Sequence, residues 1–281
     1  MPASAPLSVP PSSAEVLSPD PIRSSLDDPR QDPSFVEAFA RGLSVIRAFG
    51  PGREHMTLAD IAKRTDLPRA TVRRALFTLV TLGYAADDGR QFRLTPRILS
   101  LGHAYLSSTP LPGLLQPALE SVSEVTRESC SASILDGPEI VYIARSATKR
   151  IMSVGLNVGS RLPAYCTSMG RVLLAAEPVE RQKSLLQQST LKALTEKTLT
   201  DPARLLDELA RVKALGYAYV DQELETGLCS LAVPVHSTKG EVVAAINVST
   251  QANRMDASQI QLTIRDALQK AAQGLAPMLL G

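Results

Sequence analysis

Between Thr57 and Leu94 the chain carries a helix start, a tight turn, a helix stop and a hairpin signal, in an order that few folds accommodate. Thr57-Leu58-Ala59-Asp60 has the spacing of a capping box, with a hydroxyl placed to accept from first-turn N–H groups. Leu58, Ile61 and Ala62 follow on one helical face. Asp66-Leu67-Pro68 then turns the chain. Pro68 suits the first position of a second helix, because the N–H it lacks would be unpaired there anyway. In that helix Val72, Ala75, Leu76 and Leu79 recur at i, i+3, i+4 and i+7, the spacing of a buried stripe. Gly83 stops it. Tyr84 to Leu94 contains Asp88-Gly89, a strong hairpin signal, and Phe92 and Leu94 alternate with Gln91 and Arg93.

Two short helices, a tight turn and a β-ribbon together describe a winged helix-turn-helix. Opposite the apolar stripe of the second helix lie Arg69, Ala70, Thr71, Arg73 and Arg74. The cations suit phosphates or guanine edges, and the small residues allow close approach to a groove. Arg90 falls at the ribbon tip and Arg93 on its polar face. With Thr57 at the start of the first helix, these are the residues expected to meet a double-stranded DNA operator. A helical hairpin with a solvated cationic face would share the arginines, but not the capped helix before them or the ribbon after them.

Charge supports the same division. The net charge is only +2, yet it is unevenly placed. Residues 35–106 hold eleven Lys/Arg against six Asp/Glu, residues 107–281 hold seventeen of each, and the first 34 hold two against five. The positive excess sits on the segment that reads as the DNA binder, and the larger remainder is neutral.

At 281 residues, 44% of them hydrophobic, the chain has material for about two domains. No apolar run approaches the ~20 residues of a membrane span. No basic patch followed by an apolar core opens the chain, so a cytoplasmic location without a membrane partner is expected. Cys130, Cys166 and Cys229 are scattered and odd in number, which gives neither metal spacing nor a disulfide framework. No cofactor is expected.

Residues 1–34 carry eight of the twenty prolines and read as a disordered arm. Residues 35–95 form the winged helix-turn-helix unit, opening with a helix from Phe35 to Phe49 lined by Val36, Phe39, Leu43 and Ile46. Residues 96–110 form a linker helix; Thr95-Pro96 starts it, and Ile98, Leu99, Leu101, Tyr105 and Leu106 make it more apolar than a spacer needs, which suggests a dimerisation role. Ser107 to Pro112 is expected to loosen the chain. Residues 111–281 then mix helices with antiparallel strands. Helices are expected at Leu114–Glu128, Ser168–Ala176, Val179–Gln187, Pro202–Leu215 and Ser258–Leu279, the last capped by Asp256. Strands are expected at Ser131–Leu135, Ile140–Ala144, Ile151–Val154, Tyr217–Val220, Leu228–His236 and Val242–Ser249. The fold class is α+β.

The stretches Arg150–Leu174 and Gly216–Val235 resemble the IclR family of bacterial transcriptional regulators, in particular its PcaR/PcaU/PobR branch. The resemblance covers about residues 35–279. It implies an N-terminal winged helix, a linker helix and a C-terminal GAF-like α/β effector-binding domain, assembled as a homodimer or tetramer. It also implies control of genes of aromatic-acid breakdown through protocatechuate and β-ketoadipate. Activators of this branch contact RNA polymerase from an upstream site, whereas repressors elsewhere in the family block it. Branch resemblance favours activation.

Gly159 and Pro163 constrain the approach to a helix beginning near Ser168, whose unpaired N–H groups and dipole suit an anion. By the family pattern, Ser168 and Met169 lie at that helix start and Asp221, Ser230, Asn247 and Ser249 project from later strands, with Met152 and Leu228 as apolar wall. A small aromatic or dicarboxylic acid such as protocatechuate, 4-hydroxybenzoate or β-ketoadipate is the implied effector. Arg145 and Arg161, near in sequence, could add a charge-assisted bond. Each residue also has an ordinary alternative: Ser168 as a helix cap, Asn247 and Ser249 as partners for backbone at a sheet edge, the arginines as solvated cations.

Other classes find less support. No Gly-x-Ser-x-Gly elbow is present, and His55, His103 and His236 lack zinc spacing. A nucleophile at Cys166 with His236 as base is the enzyme alternative. An architectural DNA binder would not need the long neutral second domain.

Overall fold

The computed structural model describes residues 32–147, 156–254 and 260–279, the side chains of Leu106, Ile260 and Gln261 excepted. Most of the proline-rich arm, the strand expected at Ile151–Val154, Met152, and the caps at Asp256 and Ser258 therefore lie outside the described residues. The chain separates into two compact units with the division between Gly102 and His103. It falls inside the helix taken as a linker.

In the first unit, helices α1 (Glu37–Ala48), α2 (Leu58–Thr65) and α3 (Arg69–Thr81) precede a ribbon of β1 (Ala85–Asp87) and β2 (Phe92–Leu94). Ile61, Val72 and Leu76 are fully buried and Leu79 nearly so, joined by Val45 and Met56. Asp66, the C-cap of α2, adopts the left-handed conformation that turns the chain, at φ 54°. Pro68 is the N-cap of α3, one position earlier than its spacing suggests, and Arg69 is the first helical residue. Met56 exchanges both backbone hydrogen bonds with Phe92, at 3.0 and 2.8 Å, which seats the ribbon against the start of α2.

The stripe expected to bury α1 does not. Val36 and Phe39 are 65% and 68% exposed, and the residues turned into the core are Val45 and Ala48. The helix meets its own unit with a narrow face, and its wider apolar face is uncovered in one copy of the chain. A short 3₁₀ turn (Pro96–Ile98) leads into α4 (Leu99–Ser108), whose Leu99, Leu101 and Tyr105 are also exposed.

Only Thr109 and Pro110 separate α4 from α5 (Leu111–Thr126), so the expected loosening before Leu114 is absent. Pro112 sits in the first turn of α5, where its missing N–H costs nothing. Six antiparallel strands follow: β3 (Ser129–Asp136), β4 (Glu139–Ser146), β5 (Arg161–Pro163), β6 (Ala218–Asp221), β7 (Leu228–His236) and β8 (Val242–Gln251). They lie in the order β5-β4-β3-β8-β7-β6. Between β5 and β6 run α6 (Ser168–Ala176), α7 (Val179–Gln188) and α8 (Pro202–Leu215). A π-helical turn (Ile260–Ile264) opens α9 (Arg265–Leu275), the described part of the closing helix.

Strand alternation builds two cores. On one face Cys130, Ala132, Leu231, Val233, Ile246 and Val248 pack with Leu115 and Leu119 of α5 and Leu268 and Leu275 of α9. On the other, Ile140, Tyr142, Ala218, Ala232 and Ala245 pack with residues of α6, α7 and α8. Helices on both faces of an antiparallel sheet are the expected α+β architecture. Among the described residues, no helix is long and apolar enough to cross a membrane.

Helix α6 is pressed onto its own approach loop. A Cβ at Gly170 would stand 2.2 Å from the Ala164 carbonyl oxygen and 2.4 Å from Ala164 Cα, both backbone atoms. Gly274 in α9 faces open space. Gly170→Ala is therefore expected to destabilise the protein by about 3 kcal/mol through overpacking. Gly274→Ala should stabilise it by about 0.5–1 kcal/mol through backbone entropy. Urea midpoints of the two variants should move in opposite directions.

Candidate DNA-reading surface and effector site

The Thr57 cap organises the first site. Its hydroxyl accepts from Asp60 N–H and donates to the Asp60 carboxylate at 2.7 Å, while Asp60 accepts from the Thr57 backbone N–H. Those bonds hold the Asp60 carboxyl below its ordinary range, the Thr57 side chain contributing most. The hydroxyl of Thr57 is thus already engaged in fixing the end of α2.

On α3, Arg69, Ala70, Arg73 and Arg74 are exposed and Thr71 is half-buried, whereas Val72, Leu76 and Leu79 are buried. At the ribbon tip Asp88 accepts from the Arg90 and Gln91 N–H groups, and Asp87 accepts from Gly89 N–H. The bond from Gln91, then that from Arg90, holds the Asp88 carboxyl below its usual range. Both tip carboxylates are therefore spent on shaping the turn, and Arg90 and Arg93 remain exposed beside it. None of Arg69, Arg73, Arg74, Arg90 and Arg93 joins an ion pair among the described residues. Exposed cations on a helix and at a wing tip are what phosphate contact requires.

The second site starts at Thr167, which caps α6 by accepting from Gly170 N–H at 3.2 Å. Ser168, the first residue of the helix, is therefore not its cap. It is 1% exposed, and its hydroxyl has no hydrogen-bond partner. Met169 is equally buried, with its sulfur 3.3 Å from the Ser133 hydroxyl of β3. That contact sets the first turn of α6 over a polar patch of sheet.

The patch follows from register. Ser131 lies opposite Arg145 on β4 and Asn247 on β8, and Asn247 lies opposite Ala232 on β7. In the next row on the same face Ser129, Ser249 and Ser230 are aligned. Arg145 donates to the Ser131 hydroxyl at 3.3 Å, and Asn247 Nδ2 donates to the Ser249 hydroxyl at 3.1 Å. Asn247 Oδ1 is buried and unpaired. Leu228 shares this face at the start of β7. Tyr142 lies on it beside Ser133, its phenol pushed up to about 12 by burial.

Ser168, Met169, Ser230, Asn247, Ser249 and Leu228 are thus brought to one side of the sheet. Asp221 is not. It pairs across with Cys229, whose side chain belongs to the opposite core, and its carboxylate bonds Lys197 Nζ at 2.5 Å and Cys229 Sγ at 3.0 Å. Those two donors, Lys197 foremost, hold its pKa at about 2. Arg161 is likewise engaged elsewhere, bridging Asp136 and Glu139 across the β3–β4 turn at 2.7 Å each. Sequence reasoning missed Ser131, Ser133 and Tyr142. The alternation Ser129-Cys130-Ser131-Ala132-Ser133 was the available signal, since in a strand it puts all three hydroxyls on one face.

An ion pair fixes the surroundings. Arg171 of α6, 2% exposed, donates to Tyr165 O at 3.1 Å and to Glu223 Oε2 at 2.7 Å, and Glu223 also accepts from Leu199 N–H. One guanidinium thereby ties the approach to α6 to the β6–β7 connection and to the 189–200 segment.

The arrangement does not support a thiol nucleophile. Burial pushes the Cys166 thiol up to about 12, the reverse of an activated cysteine. His236 lines a groove with Ala175 and Ala176 at the far end of α6, roughly 13 Å of helix away from the Cys166 side. Among the described residues, no cluster of His, Cys, Asp and Glu is fit to hold a metal ion.

Comparison with known proteins identifies the family of both units. The IclR helix-turn-helix domain family matches residues 38–89, and the bacterial transcriptional regulator IclR C-terminal family matches residues 103–276. The Pca regulon regulatory protein of Pseudomonas putida is 49% identical over 251 residues, spanning 89% of this chain and 86% of its own. The p-hydroxybenzoate hydroxylase transcriptional activator of Acinetobacter baylyi is 37% identical over 226 residues, spanning 79% and 83%. An IclR homologue from Microbacterium hydrocarbonoxydans, solved in complex with 4-hydroxybenzoate, matches with TM-score 0.71 and 27% identity. That match covers 85% of this chain and 97% of the other.

The two ion pairs predict different costs. Arg171→Leu leaves Glu223 buried without its cation and should destabilise by about 3–5 kcal/mol. Asp221→Asn breaks a pair whose side chains are 41% and 52% exposed, and should cost under about 1 kcal/mol. Chemical denaturation of the two variants measures both.

Proposed function

Since this chain belongs to the IclR family of bacterial transcriptional regulators, we propose that it acts in the cytoplasm as an activator of aromatic-acid catabolism genes. Its signal is a small aromatic or dicarboxylic acid of the protocatechuate, 4-hydroxybenzoate or β-ketoadipate kind. The observation that carries the effector reading is the pair of buried, unpartnered oxygens, Ser168 Oγ and Asn247 Oδ1, one in the first turn of α6 and one on the polar sheet face. Buried polar atoms are almost always satisfied, so such a pair marks where a ligand's hydroxyl groups belong. The Arg145 guanidinium and the N–H groups of α6 supply the positive charge for a carboxylate. The relatives point the same way: one is a Pca regulon regulatory protein, one is a transcriptional activator of p-hydroxybenzoate hydroxylase, and one is solved in complex with 4-hydroxybenzoate.

Residues 35–95 act as the DNA reader, 96–110 as the linker and 111–281 as the sensor. Thr57 supports the reading helix; Arg69, Ala70, Thr71, Arg73 and Arg74 meet the major groove, and Arg90 and Arg93 meet the backbone. The functional form is a homodimer or a tetramer. Phe35, Val36, Phe39 and Leu43 before and within α1 and Leu99, Leu101 and Tyr105 in α4 expose more apolar surface than a solitary copy should carry. A two-fold operator also requires two recognition helices. RNA polymerase is the further partner of an activator.

Three measurements test this. Titration calorimetry against the three acids should show binding below millimolar. Arg145→Ala should weaken it at least tenfold and Ser168→Trp should abolish it, while Asp221→Asn leaves it unchanged; no binding to any of the acids would sink the site. Arg73→Ala should cost about 1–3 kcal/mol of specific DNA binding, whereas Arg90→Ala should weaken all sequences alike and reduce the salt slope by about one. Light scattering at micromolar concentration should give at least a dimer, and a strict monomer would refute the assembly.

A further inference from the structure

The outward face of α3 does not end with its arginines. At 100° per residue, Arg69, Ala70, Arg73, Arg74 and Phe77 fall within one sector about 140° wide, and Phe77 lies near its middle. Phe77 is 73% exposed. The apolar side chains that hold α3 in its unit, Val72, Leu76 and Leu79, lie on the opposite side, so Phe77 adds little to that core. The hydroxyl of Thr78 turns back to Arg74 O at 3.0 Å and that of Thr81 to Phe77 O at 2.9 Å. Beyond Arg74, then, the sector offers the Phe77 ring and the engaged Thr81 hydroxyl, with Val80 at its edge turned to the core and Thr78 just outside it. It has no acidic group, because α3 contains no Asp or Glu.

An exposed phenylalanine alone signifies little. This one stands one turn, about 6 Å, beyond Arg73, on a helix whose cations mark that face as complementary to a polyanion. Major-groove floors present donors and acceptors plus one apolar feature, the C5-methyl group of thymine, and a phenylalanine ring is a suitable contact for it. Six ångströms correspond to about two base steps.

We propose that Phe77 is a specificity-determining residue that reads thymine, its ring packing on the C5-methyl about two base pairs from the base edge reached by Arg73. The assignment rests on α3 being the reading helix. The arginines set position and affinity, and Phe77 adds a preference that no hydrogen bond carries.

The test uses the full chain and a duplex that it selects itself from a random-core library. Each thymine of that duplex is replaced in turn by deoxyuridine, which removes one methyl and leaves base pairing intact. Wild-type protein should lose about fourfold in affinity at one symmetry-related thymine per half-site, the worth of one buried methyl. Phe77→Ala should bind the unmodified duplex more weakly by a similar factor and be indifferent to deoxyuridine at that position. Phe77→Leu should keep part of the sensitivity. The proposal is overturned if no thymine is methyl-sensitive, or if Phe77→Ala retains the wild-type sensitivity. It is also overturned if Phe77→Ala changes the oligomeric state by light scattering, which would make the ring a contact between copies. Arg73→Ala serves as the separate control. Loss of binding there without any thymine effect leaves the reading helix in place and removes only the role of Phe77. Failure to select any duplex removes both.

Discussion

Everything on the polar face of the sheet depends on how closely α6 approaches the chain that leads into it. Gly170 lets the helix pack on the Ala164 backbone at a distance no side chain could share. That packing puts Thr167 at the cap, and so frees Ser168 from capping. It also lets Met169 reach Ser133 on β3. Had the cap fallen on Ser168, its hydroxyl would be satisfied by the helix and the site would lose one of its two unpartnered oxygens. Arg171, one residue beyond the glycine, then locks this seating by holding Tyr165 O and Glu223 together. The energetic weight of the region thus lies in a backbone contact and a buried ion pair, and the groups that face the proposed ligand are held by them.

The reading surface obeys a different logic. Its two tip carboxylates, Asp87 and Asp88, each turn one oxygen back to the backbone, Asp87 accepting from Gly89 N–H and Asp88 from Arg90 and Gln91 N–H. Asp60 is treated the same way at the start of α2. Acidic residues fit in a nucleic-acid reader where the turn or cap geometry demands an acceptor, because charge-assisted bonds to backbone N–H groups hold the carboxylate to the turn. Held in this way, the three carboxylates make no ion pair with Arg69, Arg73, Arg74, Arg90 or Arg93 among the described residues.

Most of the fold was legible in the sequence, because its signals were local. Capping at Thr57, the Asp88-Gly89 turn and the Gly216 stop each concern a few adjacent residues, and each appears where its chemistry places it. The strand Leu228–His236 was read to the residue. What failed depended on distant partners. The apolar positions of α1 look like a buried stripe, but Val36, Phe39 and Leu43 are exposed and Ile46 is only partly covered, and periodicity alone cannot say which apolar face meets a core. Pro112 reads as part of a loop, although a first-turn proline is as good a helix start as a loop signal, and the same helix also carries Pro117 in its interior.

The site shows the same limit at finer scale. Asp221 and Ser230 both sit on strands that border the polar face, and nothing in their neighbours distinguishes them. Their orientation is decided by pairing: Ser230 faces Val220 and Ser249, and Asp221 faces Cys229. With a side-chain period of two, an offset of one residue sends a carboxylate to the opposite core and a hydroxyl to the ligand side. On the proposed reading, that parity also sets the energetics of signalling. Ser168 Oγ and Asn247 Oδ1 each cost about 1–3 kcal/mol while buried and unpaired. A ligand that pairs both recovers that cost only in the conformation that buries them. Binding can bias a conformational equilibrium by no more than such differential affinity. The two orphaned oxygens are therefore the natural source of the free energy by which an effector would favour this arrangement of α6 over one in which they are hydrated.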